Sequence, residues 1–238
     1  MIHFHIVTLF PESIDAYFKA SIIKRAVEGK MIKIDFYNPR DFTAEKDARV
    51  DRRPYGGGPG MVLEAESVLL AVTKAIGKNK AEVLFFATDG ELFDENMARE
   101  LAHEPRLTRM GKTSRQTRSK NIVMICGHYE GIDERVVEIL KAKKVSMGNY
   151  VLTGGELPAA IIVDAVSRFV PGVLGNSNSL ENLRITKHKK EAESMATSAK
   201  VYTRPEILVW KRKKYPVPPV LLSGNHAEIE KWKKQKDT

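Results

Sequence analysis

Cysteine is almost absent from this sequence, since Cys126 is the only one among 238 residues. One cysteine excludes an internal disulfide and fits a reducing compartment. Residues 1–7 carry no basic stretch ahead of their apolar residues, so they predict a first strand rather than a signal peptide. The longest apolar run is interrupted by Asp164 and is too short to span a membrane. We therefore expect a soluble, cytoplasmic protein with no membrane partner.

Internal repeats and the usual phosphate-binding glycine patterns are also missing. Residues 56–60 lack the Gly-x-Gly-x-x-Gly spacing because Met61 stands where the last glycine would be. The stretch 111–113, Gly-Lys-Thr, has Arg106 where a P-loop needs its first glycine. An unrelated α/β nucleotide-binding enzyme thus stays an alternative, but no phosphate-binding sequence motif supports it.

Positive charge is abundant, with 39 Lys and Arg against 30 Asp and Glu and a formal net charge of +9. Such an excess indicates a polyanionic partner, although solvated basic faces are the plainer alternative. Between residues 105 and 120 a basic side chain recurs at every third position with no acid nearby: Arg106, Arg109, Lys112, Arg115 and Arg118. That insert is suited to sequence-independent phosphate contacts, or is simply a solvated loop.

Strand-like and helix-like segments alternate along residues 1–172. Strands are predicted at 2–9, 32–37, 83–87, 121–126 and 144–147, and helices at 11–29, 64–76, 94–102, 132–140 and 157–170. In the first helix we expect one apolar side, formed by Ile14, Tyr17, Phe18, Ile22 and Ala26. This alternation predicts an α/β domain with a largely parallel sheet.

The character of the sequence changes after this domain. Residues 173–201 are rich in Asn, Ser, Lys and Glu and predict a flexible linker. Residues 202–238 contain a Pro-rich turn at 215–219 and a final helix beginning near Ala227. So short a segment has too small a core to fold alone, so we expect it to pack on the first domain or on a partner chain.

Residues 146–158 are the most informative stretch, because Gly148, Gly154 and Gly155 precede an apolar helix-like run. Glycines in such a position let backbone groups approach a ligand closely, although a plain tight connection explains this stretch alone equally well. Two other segments add to it: residues 50–61, with Asp-Arg-Arg-Pro-Tyr-Gly-Gly-Gly, and residues 126–136, with Cys-Gly-His-Tyr-Glu-Gly-Ile-Asp-Glu-Arg.

In this order the three segments closely resemble the bacterial tRNA (guanine-N1)-methyltransferases of the TrmD type, which belong to the SPOUT class. The resemblance implies a deep trefoil knot at about residues 84–158, S-adenosylmethionine as methyl donor, and the guanosine 3′ of the anticodon as target. It also implies a homodimer whose site joins the knot of one subunit to the linker of the other. Mg²⁺ and a C-terminal, mainly helical domain that grips the tRNA anticodon arm are implied as well.

The resemblance assigns two sets of binding residues. The donor-binding set is Ala87, Thr88, Gly127, Tyr129, Glu130, Gly131, Met147, Gly148, Asn149, Tyr150, Val151, Leu152, Gly154, Gly155 and Pro158. The substrate-binding set is Asp51, Arg53, Tyr55, Gly56, Gly57, Gly58, Arg204, Ser223 and Asn225. In these segments the sequence departs from the family, since Thr88 stands where the family usually has Pro and Asn149 and Arg52 each stand where it has Asp.

Methyl transfer to guanine N1 requires a base that removes the N1 proton and a cation that stabilises charge developing on O6. Arg168 matches the family's cation, although an arginine after a helix can simply interact with the helix dipole or pair with Asp164 one turn earlier. Glu193 occupies the place of the Asp that acts as general base in the family. The Gly-Leu-Leu segment that usually follows this Asp is missing. The alternative function is therefore a tRNA- and donor-binding paralogue with lost or altered catalysis.

Overall fold

Five strands, most of them rich in apolar residues, form the parallel sheet that the sequence predicts. The computed structural model describes residues 1–102, 120–174 and 201–234. The strands of the first part are β1 (Ile2–Val7), β2 (Ile32–Tyr37), β3 (Asp51–Arg52), β4 (Val62–Leu63), β5 (Ala81–Leu92), β6 (Lys120–Ile125) and β7 (Lys143–Ser146). The sheet has the order β2-β1-β6-β5-β7 with every neighbouring pair parallel, while β3 and β4 form a separate antiparallel pair.

Helices cover both faces of this sheet. They are α1 (Glu12–Phe18), α2 (Ser21–Glu28), α3 (Ala65–Ile76), α4 (Glu95–Ala102), α5 (Arg135–Leu140) and α6 (Glu156–Ser167). Side chains alternate across β6, so Ile122 and Met124 enter the core beneath α6, whereas Val123 and Ile125 enter the core beneath α3. Burial on both faces explains why the strand sequence is apolar almost throughout.

The prediction of one helix over residues 11–29 is wrong, because two helices occupy this segment. Ala20 has extended backbone angles, with φ −120° and ψ 153°, so α1 ends before it and α2 begins after it. The break turns the second helix relative to the first. Ile23 is therefore buried in place of Ile22, and Tyr17 and Ile22 are 50% and 38% exposed.

Most other predicted elements are present with shifted ends. Strand β5 runs to Leu92 rather than ending near Ala87, and its pairing with β7 shifts register between Phe86 and Glu91. Helix α5 begins at Arg135 rather than at Ile132, because Ile132 instead forms a bridge with Leu63. Helix α6 ends at Ser167 rather than at residue 170. The predicted insert begins after α4, and only its last residue, Lys120 at the start of β6, lies in the described part.

The chain divides into two units, Met1–Ser179 and Leu180–Thr238. The described part of the second unit contains the antiparallel hairpin β8 (Ile207–Trp210) and β9 (Lys213–Pro216), then α7 (Pro219–Leu222) and α8 (His226–Lys234). The final helix is present as predicted, whereas the hairpin adds strands to a unit that was expected to be mainly helical. Most of the predicted linker, residues 173–201, lies outside the described residues.

Within the ranges described, no helix combines the length and apolar character needed to cross a membrane.

Candidate active site

A pocket opens where the carboxyl ends of β6 and β7, and the irregular part of β5 after Phe86, meet the first turn of α6. Its volume is about 190 Å³. Carboxyl ends of parallel strands lie at one edge of the sheet, where ligands of α/β proteins usually bind. The loops after β6 and β7, the irregular part of β5 and the beginning of α6 therefore surround one cavity, although they are distant in sequence.

The predicted donor-binding residues line this pocket, except for Gly148 and Asn149. The pocket also contains residues that the sequence analysis did not select: Phe86, His128, Val145, Ser146 and Thr153. Val145 and Ser146 lie at the end of β7, and Phe86 lies near the end of the strand predicted at 83–87, so a position close to a predicted strand end was the available signal. His128 and Thr153 lie inside the glycine-bearing motifs themselves.

Gly155 brings two of the pocket loops together. Its amide donates a hydrogen bond to the carbonyl of Gly127 at 3.0 Å. A Cβ at position 155 would lie 2.5 Å from the Cα of Cys126, a backbone atom that cannot give way cheaply. Glycine is thus required here by the close approach of two backbone segments of the chain itself, whereas the close approach to a ligand stays a prediction.

A buried polar network fixes the loop after β6 against α6. Glu156 is only 6% exposed and accepts a hydrogen bond from the Thr8 hydroxyl at 2.6 Å. Its other oxygen lies 3.2 Å from Nε2 of His128, whose ring packs edge-on against Phe10 with centroids 4.7 Å apart. Because a buried carboxylate is costly without partners, these contacts hold His128 and the pocket wall in one position. Burial also raises the pKa of the neighbouring Cys126 thiol, which makes that cysteine unreactive.

Ion pairs link the loops at the rim. Lys144 of β7 contacts Glu134 at 2.5 Å and Asp89, in the loop region of β5, at 3.2 Å. Asp133 accepts two hydrogen bonds from the Arg135 guanidinium, at 2.8 and 2.5 Å, and these lower the pKa of the Asp133 carboxyl. The charged part of the 126–136 motif thus orders the rim.

The segment 50–63 is hydrogen-bonded directly to the pocket wall. The amide of Leu63 donates to the carbonyl of Gly131, and the amide of Glu130 donates to the carbonyl of Met61, both at 3.0 Å. A second cavity of about 380 Å³ is lined by Asp51, Arg49 and Tyr129, among others. Since Tyr129 lines both cavities, the structure joins two motifs that are almost 70 residues apart in sequence.

Comparison with known proteins decides the family of this chain. The family model described as tRNA (Guanine-1)-methyltransferase TrmD matches residues 2–238. The chain belongs to the TrmD family. The alternative of an unrelated α/β nucleotide-binding enzyme is therefore wrong.

Several curated TrmD-family proteins, each called tRNA (guanine-N(1)-)-methyltransferase, are similar over nearly the whole chain. The protein of Dehalococcoides mccartyi (strain ATCC BAA-2266) is 40% identical over 97% of this chain and 83% of its own length. The protein of Caldanaerobacter subterraneus subsp. tengcongensis is 39% identical over 98% of this chain and 86% of its own length. The protein of Clostridioides difficile (strain 630) is 37% identical over 98% and 90%, respectively.

Arg52, which stands where the TrmD family usually has Asp, has partners supplied by this chain. Its Nε lies 2.6 Å from Glu64 and a terminal nitrogen lies 2.5 Å from Glu45. Both contacts raise the pKa of the guanidinium, with the hydrogen bond to Glu64 the largest cause. The substitution is thus accommodated by two carboxylates on the surface beside the second cavity.

The other predicted substrate residues lie at exposed positions in both units. Tyr55 is fully exposed, and the three glycines that follow it have positive φ and open space around them. In the second unit, Asn225 caps α8, since its side-chain oxygen accepts from the amide of Ala227 at 3.2 Å. The amide of Asn225 donates to the Ser223 hydroxyl at 3.1 Å. Arg53 and Arg204 are exposed as well.

Arg168 follows α6 as its C-cap and is exposed. The alternative that Asp164 pairs with it is not observed within the described ranges, because Asp164 instead accepts a hydrogen bond from Tyr17 at 2.5 Å. The pocket lies at the beginning of α6 and Arg168 at its end. With about 1.5 Å per residue, the twelve residues of α6 separate them by about 18 Å. Glu193, the other predicted catalytic residue, lies outside the described residues.

Proposed function

We propose that this protein transfers the methyl group of S-adenosylmethionine to N1 of the guanosine 3′ of the anticodon in tRNA. The observation that carries the proposal is the glycine-lined pocket, in a chain that belongs to the TrmD family. Two of the three family motifs line this pocket, and the third is hydrogen-bonded to its wall. In this proposal, residues 1–172 form the methyltransferase domain with a knot at about 84–158. Residues 173–201 are the linker, and residues 202–238 bind the tRNA. A cytoplasmic location follows from the substrate.

The pocket has the features that a donor with a nucleoside and an amino-acid part requires. Backbone groups of Gly127, Gly131 and Gly154 are accessible in the lining, while Pro158 and Met147 offer apolar surface. A Cβ on Gly155 would distort this lining, which supports a cradle built for close backbone contact. The sulfonium of the donor supplies an already electrophilic methyl group, so the protein has chiefly to position it.

The remaining chemistry belongs to the acceptor. Arg168 would stabilise the negative charge that develops on O6 as the N1 proton leaves, and Glu193 would take that proton. The separation of about 18 Å between Arg168 and the pocket of its own subunit favours action on the pocket of a partner subunit. We therefore include the homodimer in the proposal, with the donor pocket of one subunit facing Arg168 and the linker of the other.

The tRNA anticodon arm would contact the exposed basic side chains of the second unit. The turn of its hairpin and the start of β9 carry Lys211, Arg212, Lys213 and Lys214 in succession. Binding through such residues releases counterions, so the tRNA affinity should fall steeply as salt is raised.

For Mg²⁺, the described pocket offers little. Glu130 is the sole carboxylate residue in its lining, whereas Mg²⁺ prefers several oxygen ligands in octahedral geometry. No step of the proposed methyl transfer depends on the ion.

The decisive experiment is mass spectrometry of nucleosides from an unmodified tRNA transcript incubated with the protein and S-adenosylmethionine. The expected product is 1-methylguanosine at the position after the anticodon, absent when that guanosine is replaced by adenosine. The second candidate function, a paralogue that binds tRNA and donor without methylating, is favoured by Glu193 and the missing Gly-Leu-Leu. Binding of both ligands without a methylated product would support the paralogue and reject the enzyme.

A further inference from the structure

Two histidines and an aspartate lie together on neighbouring strands, away from the pocket. His3 and His5 occupy alternate positions of β1 and so point to the same face, and His5 is paired in register with Asp35 of β2. The ligand atoms of these three residues lie within 4.8 Å of one another. His3 is paired with Asn121 near the start of β6, whereas the pocket begins after β6 ends, roughly 20 Å away at about 3.3 Å per residue. The proposed methyl transfer does not use this cluster.

The hydrogen bonds around His5 determine which ring nitrogen is free to bind. The amide nitrogen of Asn121 donates to the carbonyl of Lys80 at 3.2 Å, which orients the amide so that its oxygen faces His5. That oxygen lies 3.2 Å from Nε2 of His5, so Nε2 carries the proton. The lone pair is therefore on Nδ1, whose neighbour is the Tyr37 hydroxyl at 3.3 Å. His5 is only 2% exposed.

The other two ligands are reachable from solvent. Nε2 of His3 lies 2.7 Å from Oδ2 of Asp35, with the side chains 16% and 33% exposed. The Lys33 ammonium lies 2.5 Å from the same oxygen, but its side chain is 52% exposed and can turn into water. An ion can thus enter from the surface and displace the ammonium from Asp35.

We propose that His3, His5 and Asp35 form a binding site for a transition-metal dication of the Zn²⁺ class. Two imidazole nitrogens and one carboxylate oxygen are a ligand set that suits Zn²⁺ and excludes a preference for Mg²⁺. Asn121 accepts from the far nitrogen of His5, which is the outer contact that fixes ligating histidines in metal sites. The ion would connect β1 to the edge strand β2, and solvent would fill its remaining positions.

The test uses the full chain, stripped of metal with a chelator and titrated with Zn²⁺ by calorimetry. We expect one Zn²⁺ ion to bind saturably per chain, and we expect His3→Ala and Asp35→Asn each to lower its affinity about tenfold or more. One molar equivalent of Zn²⁺ should raise the unfolding temperature of the wild-type protein but not that of His3→Ala. With Co²⁺ in place of Zn²⁺, the wild-type protein should show visible absorption typical of low-coordinate N and O ligation. This absorption should be absent from both variants.

Two matched variants sharpen the result. His226→Ala removes an exposed histidine of the second unit and should leave the stoichiometry and affinity of Zn²⁺ binding unchanged. Lys33→Ala should tighten Zn²⁺ binding, because it removes the ammonium that competes for Asp35. Absence of saturable Zn²⁺ binding, or equal binding by the wild type, His3→Ala and Asp35→Asn, would overturn the proposal and leave the cluster as a hydrogen-bonded strand contact. His3 and Asp35 are partly exposed, so these two variants are chosen instead of changes at the buried His5.

Discussion

Gly155 has no space for a side chain, since a Cβ would lie 2.5 Å from the Cα of Cys126 and 3.0 Å from the ring of Phe86. We expect Gly155→Val to push the loop after β6 away from α6 and to abolish S-adenosylmethionine binding in calorimetry. Overpacking of this kind also costs about 1–3 kcal/mol of unfolding free energy. Gly127→Ala is the steric control, because its Cβ would meet Ile132 at an ordinary 3.4 Å and should cost much less stability. Unchanged donor affinity in Gly155→Val would exclude this loop from the donor site.

Arg168 has a different predicted effect, because it lies about 18 Å from the proposed donor pocket of its own chain. Arg168→Ala should lower the methylation rate by roughly 10²-fold or more and leave donor affinity nearly unchanged. Arg168→Lys should restore little, since a point charge does not reproduce the guanidinium fork. Single-turnover kinetics with tRNA measures the effect. Near wild-type turnover in Arg168→Ala would leave only the helix-terminus interaction for this residue.

The proposed role of Glu193 as the general base can be tested by substitution, with the nearby Glu191 as a control. If it removes the N1 proton, Glu193→Gln should nearly abolish methyl transfer, whereas Glu193→Asp should keep or raise it. Both variants should still bind donor and tRNA. Glu191→Gln is the matched control, because it removes the same charge two residues away. Equal rates for Glu193→Gln and the wild type would assign the base to another residue.

At the scale of elements, a side-chain hydrogen bond adds to the apolar packing between α1 and α6. The Tyr17 hydroxyl donates to Asp164, and this bond is the largest cause that raises the pKa of Tyr17 from 10.0 to about 12. Because the folded-state pKa is above the unfolded value, the stabilisation is complete below pH 10 and is lost as pH rises from 10 to 12.

We therefore expect Tyr17→Phe to be less stable than the wild type at pH 8, with the difference shrinking above pH 10. Urea unfolding at several pH values measures this difference. Asp164→Asn should return the tyrosinate titration of Tyr17 towards pH 10, as followed by ultraviolet absorbance. A difference that stays constant up to pH 12 would mean that packing, rather than the hydrogen bond, connects the two helices.

At the scale of the whole molecule, the length of α6 leads us to predict an active site that is shared between two subunits. If Arg168 acts on the pocket of the partner, a Gly155→Val subunit and an Arg168→Ala subunit complement each other. In a mixed dimer, one site then combines an intact pocket with an intact Arg168. Random mixing should restore about a quarter of the wild-type activity, since half of the dimers are mixed and each has one complete site.

The control for this experiment is a mixture of Arg168→Ala and Glu193→Gln. Arg168 and the linker follow each other in one chain, so both should serve the same partner pocket, and no complete site forms. Light scattering first establishes whether the protein is a dimer. A monomeric enzyme with full activity, or no restored activity in the first mixture, would contradict the shared site.

Much of the first unit could be predicted because its strands are buried on both faces. The continuous apolar residues of β6 and the glycines after it indicated both a parallel sheet and a ligand loop at its edge. The break between α1 and α2 could not be predicted, because Lys19 and Ala20 carry no Gly or Pro signal and the break depends on the extended backbone of Ala20. The hairpin of the second unit was hidden by prolines that suggested only a turn.

By itself, the sequence determined the α/β class, because this class depends on local patterns of apolar residues. The resemblance of its motifs to a known family indicated the family and most of the residues that line the pocket. The tertiary structure alone decided which distant groups meet. Arg52 finds Glu45 and Glu64, Tyr129 lines two cavities, and His3, His5 and Asp35 converge only when β1 pairs with β2. Side-chain partners across a sheet are set by strand order and register, and no local pattern in the chain encodes them.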